Sequence, residues 1–280
     1  MSQESPLEKL ATTVPSLPEV VTVLDRELKK LDCSPQSVET IINKDSSLTA
    51  RLLKIANSAF YGFATRIDTI SQALTMIGLA QLRDLVISAS VIQLFEGINI
   101  PNFSMQSFWK HSVATGICAR RIAIRRGEKN IEPYFVSGLL HDIGRLVLFK
   151  NLSAKSDQAI KLTEAKQIGI SEAEMEIFKF SHADLAGRIM KNWKLPARIY
   201  EVVQNHHAPT SHSGFYHETI YLHVADLIVN LMEIGNSAEG PFAPHVPENV
   251  VLFNDTDFEL RQLMEEVDQL SHEAFDNFIS

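Results

Sequence analysis

Apolar residues in this chain recur at three- and four-residue intervals almost from end to end, and no convincing run alternates with a period of two. That pattern specifies helices with one buried face and leaves no strands to pair, so the expected fold is all-α. Local signals place the helices. Pro18 suits an early helical position before Val20, Val21, Val23 and Leu24, and Ser34-Pro35 reads as a cap followed by a first-turn proline. Asp45 or Ser46 can cap the helix whose stripe is Leu48, Leu52, Leu53, Ile55 and Ala56, and Asn57 to Gly62 ends it. Ile70, Ala73, Leu74 and Ile77 mark a short helix closed by Gly78, with a longer one behind it reaching Phe95. The run Gly97 to Asn102, GINIPN, is the clearest break. It separates a smaller helical subdomain over 14–100 from a multi-helical bundle over 101–234. A loop and a last helix fill 235–280, with Thr256 and Glu259 as a candidate capping box.

Composition removes several classes of function. Acidic residues outnumber basic ones by 34 to 26, a formal net charge of -8, so no basic field exists to draw in nucleic acid. Cys33 and Cys118 are the only cysteines, which implies no disulfide framework and fits a reducing cytosol. The opening MSQESPLEKL lacks the charged and apolar regions of a signal peptide. No uninterrupted apolar run approaches the ~18 residues of a membrane span. The expectation is a soluble cytoplasmic protein with neither a nucleic-acid nor a membrane partner.

One stretch breaks its own pattern. Tyr134 to Phe149, YFVSGLLHDIGRLVLF, reads as helix with a wide buried face, and only Asp142 and Arg145 carry formal charge in it. A carboxylate in such surroundings must be paired, protonated or bound to a metal. A buried Asp–Arg or Asp–His pair would explain it by itself. Imidazoles and carboxylates recur, however, on other helices that hide apolar faces: His111, His141, Asp142, His182, His206, His207 and Asp226. Taken singly, His111 reads as a core histidine on a backbone carbonyl, His182 as a helix-start residue beside Ser181, and His206-His207 as a solvated helix end. Asp226 is the hardest to explain that way, because its helix offers no local partner. His212, His217, His223 and His245 read as structural or surface residues. Neutral imidazole with carboxylate suits Fe, Mn, Zn or Ni, one or two ions, and neither cysteine stands among these positions. Two ions sharing Asp142 are suited to activating a water and holding a phosphate between them.

In order, H…HD…H…HH…D resembles the HD superfamily of metal-dependent phosphohydrolases. The resemblance implies His111, His141, Asp142 and Asp226 as the ligands of a single ion. It adds His182 and His206 as ligands of a second, as in the HD-GYP-like phosphodiesterases, with His207 matching the next position. Two departures argue against a specific cyclic-dinucleotide activity: Arg145 stands where that branch has Lys, and no Gly-Tyr-Pro stretch follows the paired histidines. PSLPEV (Pro15–Val20), DSSLTARLLKIANSAFYG (Asp45–Gly62) and ISQALTMIGLAQLRDL (Ile70–Leu85) resemble the HDOD family, the HD-related output domains of bacterial signalling proteins. With FWKHS, GLLHDIGRLVL and the HA…W.LP…HH run, the likeness extends over roughly Val14 to Met232.

That resemblance implies an output role in signal transduction, with a signalling protein or a phosphorylated small molecule as partner. Three expectations follow: a metal-holding HDOD module, an active metal-dependent phosphohydrolase or phosphodiesterase with Asp142 and Arg145 as catalytic groups, or a metal-free interaction scaffold. In the second, Arg145 is the candidate phosphate contact.

Overall fold

The computed structural model describes residues 5–101, 103–209, 214–236 and 257–279. His212, His245, Thr256 of the expected capping box and most of the loop after Gly235 lie outside those residues. Among the described residues every regular element is a helix, as the periodicity predicts. In chain order these are α1 (Pro6–Thr13), α2 (Glu19–Glu27), α3 (Pro35–Ile42), α4 (Ser46–Ala56), α5 (Ile70–Ile77), α6 (Leu79–Leu94) and α7 (Met105–Arg125). There follow α8 (Glu132–Leu140), α9 (Ile143–Lys166), α10 (Ile170–Phe178), α11 (His182–Asn192), α12 (Ala197–Gln204), α13 (Tyr216–Leu231) and α14 (Asp257–Ile279). No single described helix is long and apolar enough to cross a membrane.

The helices form two compact units, one of Ser16–Ile98 with Gln269–Ser280 and one of Met1–Pro15 with Asn99–Asp268. In the first, side-chain caps fix where helices begin. Ser34 Oγ accepts the Ser37 N–H at 3.1 Å, and Asp45 Oδ1 accepts the Leu48 N–H at 2.9 Å, so orphan donors of α3 and α4 are satisfied. Gly78, at φ 96, turns the chain by 120° between α5 and α6 in a backbone region that a side chain would resist. The interior is aliphatic, with Leu24, Ile42, Leu48, Leu52, Ile55 and Leu85 each no more than 1% exposed. Phe60 is buried too and meets the edge of Phe278 at 5.8 Å between centroids.

The second unit is built on α7, which is buried almost throughout from Phe108 to Ala123 and packs along both α8 and α13. The approach to α8 is close because two glycines meet: a Cβ on Gly138 would lie 2.5 Å from the Cα of Gly116. Leu263 and Val267 of α14 join the apolar cluster that α7 and α13 share, while Arg121 and Arg125 each reach Glu266 at 3.2 Å.

The single helix expected over Tyr134–Phe149 is in fact two. α8 stops at Leu140 and α9 starts at Ile143, with Asp142 at φ -102, ψ 5 between them. Apolar spacing could not reveal this, because the buried stripe continues on both sides of the turn. Similarly, the helix expected over Ser156–Gly169 is the second part of α9, whose backbone leaves helical geometry at Leu152.

Candidate metal centre

In an unbroken helix, adjacent side chains diverge by about 100°. The turn between α8 and α9 removes that divergence and lets His141 and Asp142 face one point, with His141 Nε2 3.3 Å from Asp142 Oδ2. Gly144 lets α11 come close behind the turn, since any Cβ there would collide with the carbonyl of His182. The same packing brings the start of α11 against the start of α9. Ser181 caps α11 through a reciprocal pair with Asp184, so His182 occupies the first helical turn, as its sequence predicts.

All seven sequence-selected residues converge, in two adjoining sets. Donor atoms of His111, His141 and Asp226 lie within 4.8 Å of one another, as do those of Asp142, His182, His206 and His207. In the first set Asp226 Oδ1 stands 3.0 Å from His111 Nε2 and 3.5 Å from His141 Nε2. In the second, His182 Nε2 lies 3.1 Å from Asp142 Oδ1 and 2.9 Å from His207 Nε2. Asp142 faces both sets, through one oxygen toward His141 and the other toward His182. All are buried except His207, which is partly so.

Three imidazoles are tied off from behind. Nδ1–H of His141 donates to the Gly138 carbonyl and that of His206 to the Val203 carbonyl, each at 2.6 Å. His182 Nδ1–H donates to Glu174 Oε2 at 2.6 Å, and the same oxygen accepts the His182 backbone N–H at 2.7 Å. With Nδ1 spent in this way, the Nε2 atoms are the ones turned toward the centre. His141 Nε2, His206 Nε2, both oxygens of Asp142 and Asp226 Oδ2 are buried without a properly formed hydrogen bond. Unsatisfied atoms at that depth are costly, and their convergence gives the donor set of a cation.

The electrostatics point the same way. Burial would raise the carboxyl of Asp142, but Arg145, then His141 and His182, hold it well below the usual range. Burial opposes ionisation of Asp226 as well, and His111 and His141 overcome it. Burial would strip the proton from His141, yet Asp142 and Asp226 keep its pKa well above that of a free imidazole. Burial opposes the charge on His182 too, and Glu174 raises its pKa above that of a free imidazole. Positive charge is therefore favoured at the centre, and a divalent ion supplies it more fully than protons do. Burial and then His141 push His206 down to about 3, while burial and His206 push His207 well down, so both offer neutral nitrogens. These residues fit one or two divalent ions.

Three details depart from the sequence reading. Asp226 does have a partner on its own helix: Asn230 Nδ2–H donates to its Oδ1 at 3.1 Å, a neutral contact that leaves the charge uncompensated. Glu174 was not selected, although it occupies a core position of α10 between Ala173 and Phe178, where a carboxylate is out of place. Of the two roles expected for His223, structural or surface, the structure bears out the structural one, with the residue 1% exposed, but places it beside the donor sets. Its signal was its place on the Asp226 face of α13, three residues away. His217, by contrast, is exposed. Arg145 is 1% exposed, with Nε 3.3 Å from Asp142 Oδ1.

The sequence model of the HDOD domain matches residues 14–209, so it ends before α13, which supplies Asp226. A Treponema pallidum (strain Nichols) protein, itself uncharacterized, is 26% identical over 198 residues; the alignment takes in 69% of this chain and 37% of that protein's length. Among solved structures, an HDOD domain protein of unknown function from Geobacter sulfurreducens is 25% identical, with a TM-score of 0.72 and 96% of each chain covered. A Shewanella amazonensis protein, named provisionally as a phosphohydrolase, is 21% identical, with a TM-score of 0.75 and 99% of each chain covered. At that identity the second likeness concerns the fold.

Proposed function

This chain belongs to the HDOD domain family, and from that premise we propose that it is a signal-transduction output module whose helical interior holds one or two divalent ions. The observation that supports this most is the convergence of five imidazoles and two carboxylates, several with buried donor atoms that have no hydrogen-bond partner among the described residues. A scaffold that only needed to pack would fill the same space with aliphatic groups, without the desolvation cost of those charges. His111, His141 and Asp226 form one ion position, and Asp142, His182, His206 and His207 the other. Fe, Mn, Zn and Ni all suit this nitrogen and oxygen set. Glu174 orients His182, and the carbonyls of Gly138 and Val203 orient His141 and His206. The partner is a signalling protein or a phosphorylated small molecule.

The test is metal analysis of untagged protein purified without chelator. At least one equivalent of transition metal, lost in Asp142→Asn, is the expected result. Protein that stays metal-free after incubation with Mn, Fe, Zn and Ni would leave an interaction scaffold as the function.

A second reading is favoured by the position of Asp142 between the two sets: an active phosphohydrolase or phosphodiesterase acting on a nucleotide. A cation bound there supplies Lewis acidity toward a phosphoryl oxygen. In that reading Asp142 fixes the spacing of the two positions, and Arg145 holds its carboxylate and presents positive charge to phosphate. Closed packing around the centre excludes bulk water. A nucleotide and cyclic-nucleotide panel with Mn or Fe decides it: turnover abolished by His141→Ala supports catalysis, and turnover that survives His141→Ala refutes it.

A further inference from the structure

His223 belongs to neither donor set, yet its place is as constrained as theirs. It shares a face of α13 with Asp226, and its Nδ1–H donates to the carbonyl of His206 at 2.7 Å. A carbonyl can only accept, so the proton is fixed on Nδ1. Burial keeps the ring below the usual imidazole range despite that bond, so it is neutral. Its Nε2 is buried with no hydrogen-bond partner.

His206 needs such an anchor. It lies beyond Gln204, the last residue of α12, where a long turn bond from the His206 N–H to the Val203 carbonyl, at 3.4 Å, replaces the regular helical ladder. Its ring and its N–H both turn back to the Val203 carbonyl, while its own carbonyl is held from outside, by α13. That helix is also the one that carries Asp226 into the other set.

We propose that His223 is a positioning residue that ties the two ion positions together, by pinning the His206 peptide, and with it the adjacent imidazoles of His206 and His207, to the helix that presents Asp226. The role rests on the metal reading above. It uses Nδ1 and not Nε2, which makes it separable by substitution. Asparagine places an amide nitrogen where Nδ1 stands and can still donate to the carbonyl; glutamine places its amide near Nε2 and cannot.

Manganese is titrated calorimetrically into the untagged, metal-stripped full chain and its His223→Ala, His223→Asn and His223→Gln variants, with circular dichroism as the check on folding. Removing an outer partner of a ligand costs about 10–100-fold in ion affinity. Wild type is expected to take up two ions. In His223→Ala one affinity should fall by that factor while the other stays within about twofold; His223→Asn should recover to within about threefold of wild type, and His223→Gln should resemble Ala. Unchanged uptake in His223→Ala overturns the role and leaves the metal reading standing. So does an equal loss at both positions that Asn fails to rescue, which marks a merely structural residue. If His223→Ala does not fold, equal behaviour of the Asn and Gln variants overturns the role. Wild type that binds no manganese or other divalent ion removes the metal reading itself, and the role with it.

Discussion

The unit of Ser16–Ile98 and Gln269–Ser280 hides apolar side chains and a few hydroxyls, and the one buried carboxylate among its described residues, Asp84, meets Arg83 at 3.2 Å. The unit holding Asn99–Asp268 hides Glu132, Asp142, Glu174 and Asp226 with Arg145 and five histidines: His111, His141, His182, His206 and His223. Both are helical and both are packed, yet their interiors answer to different demands. In the first, the buried groups are overwhelmingly apolar, as a packed interior requires. In the second, a group of charges and imidazoles is kept at the centre although apolar residues of the same volume would fold as well or better. Stability and chemistry are thus carried by different residues, and substitutions can pull them apart.

The sharpest separation is expected at Asp226. Asp226→Asn keeps a hydrogen-bonding side chain but removes the charge, and ion affinity should fall by about a thousandfold, roughly 4 kcal/mol, in a competition titration. The melting of the metal-free protein should move by less than about 1 kcal/mol, because the amide oxygen can still accept from Asn230 and His141 can release its proton, so no unpaired charge is left buried. A metal-free Asp226→Asn protein that melts far lower would mean the acid holds the fold, and the contrast between interiors would break. Leu52→Ala is the mirror experiment. It should cost about 3 kcal/mol in urea unfolding, within the 2–5 kcal/mol of buried leucine truncations, and leave metal content unchanged.

Smaller effects refine the picture. Glu174→Gln retains a polar group behind His182 but loses the charge, and should weaken ion binding about tenfold, measured by the same competition. The smallest effect belongs to the caps: Asp45→Ala should cost about 1 kcal/mol of unfolding free energy with no change in ion affinity. An effect of either cap or core leucine on ion binding would show that the two units do not divide their work in this way.

How much of this was legible beforehand follows from which interactions are local. Caps such as Ser34 and Asp45, and the helices they start, are written in spacings of three and four residues, so the chain announces them. His111, His141, Asp142 and Asp226 stood out as polar groups in apolar runs, while His182 and the His206-His207 pair stood out by their order in the H…HD…H…HH…D pattern. Glu174 was hidden because an acid on an amphipathic helix looks solvated until the helix's buried face is known. The turn at His141-Asp142 was hidden for a different reason: it goes with a close approach of the His182 carbonyl, some forty positions away in the chain (141 to 182), to Gly144. Contacts of that kind leave no periodic trace. His223 was passed over because its partner is a main-chain oxygen, and any residue type can supply one.

The meeting of Gly116 and Gly138 carries a lesson for reading kindred chains. Neither glycine binds anything, yet a single methyl group at that crossing would push α8 off α7 and carry His141 away from His111. A descendant could thus preserve every histidine and acid in its alignment and still be chemically inert, silenced by one carbon atom at a position no ligand inventory would inspect.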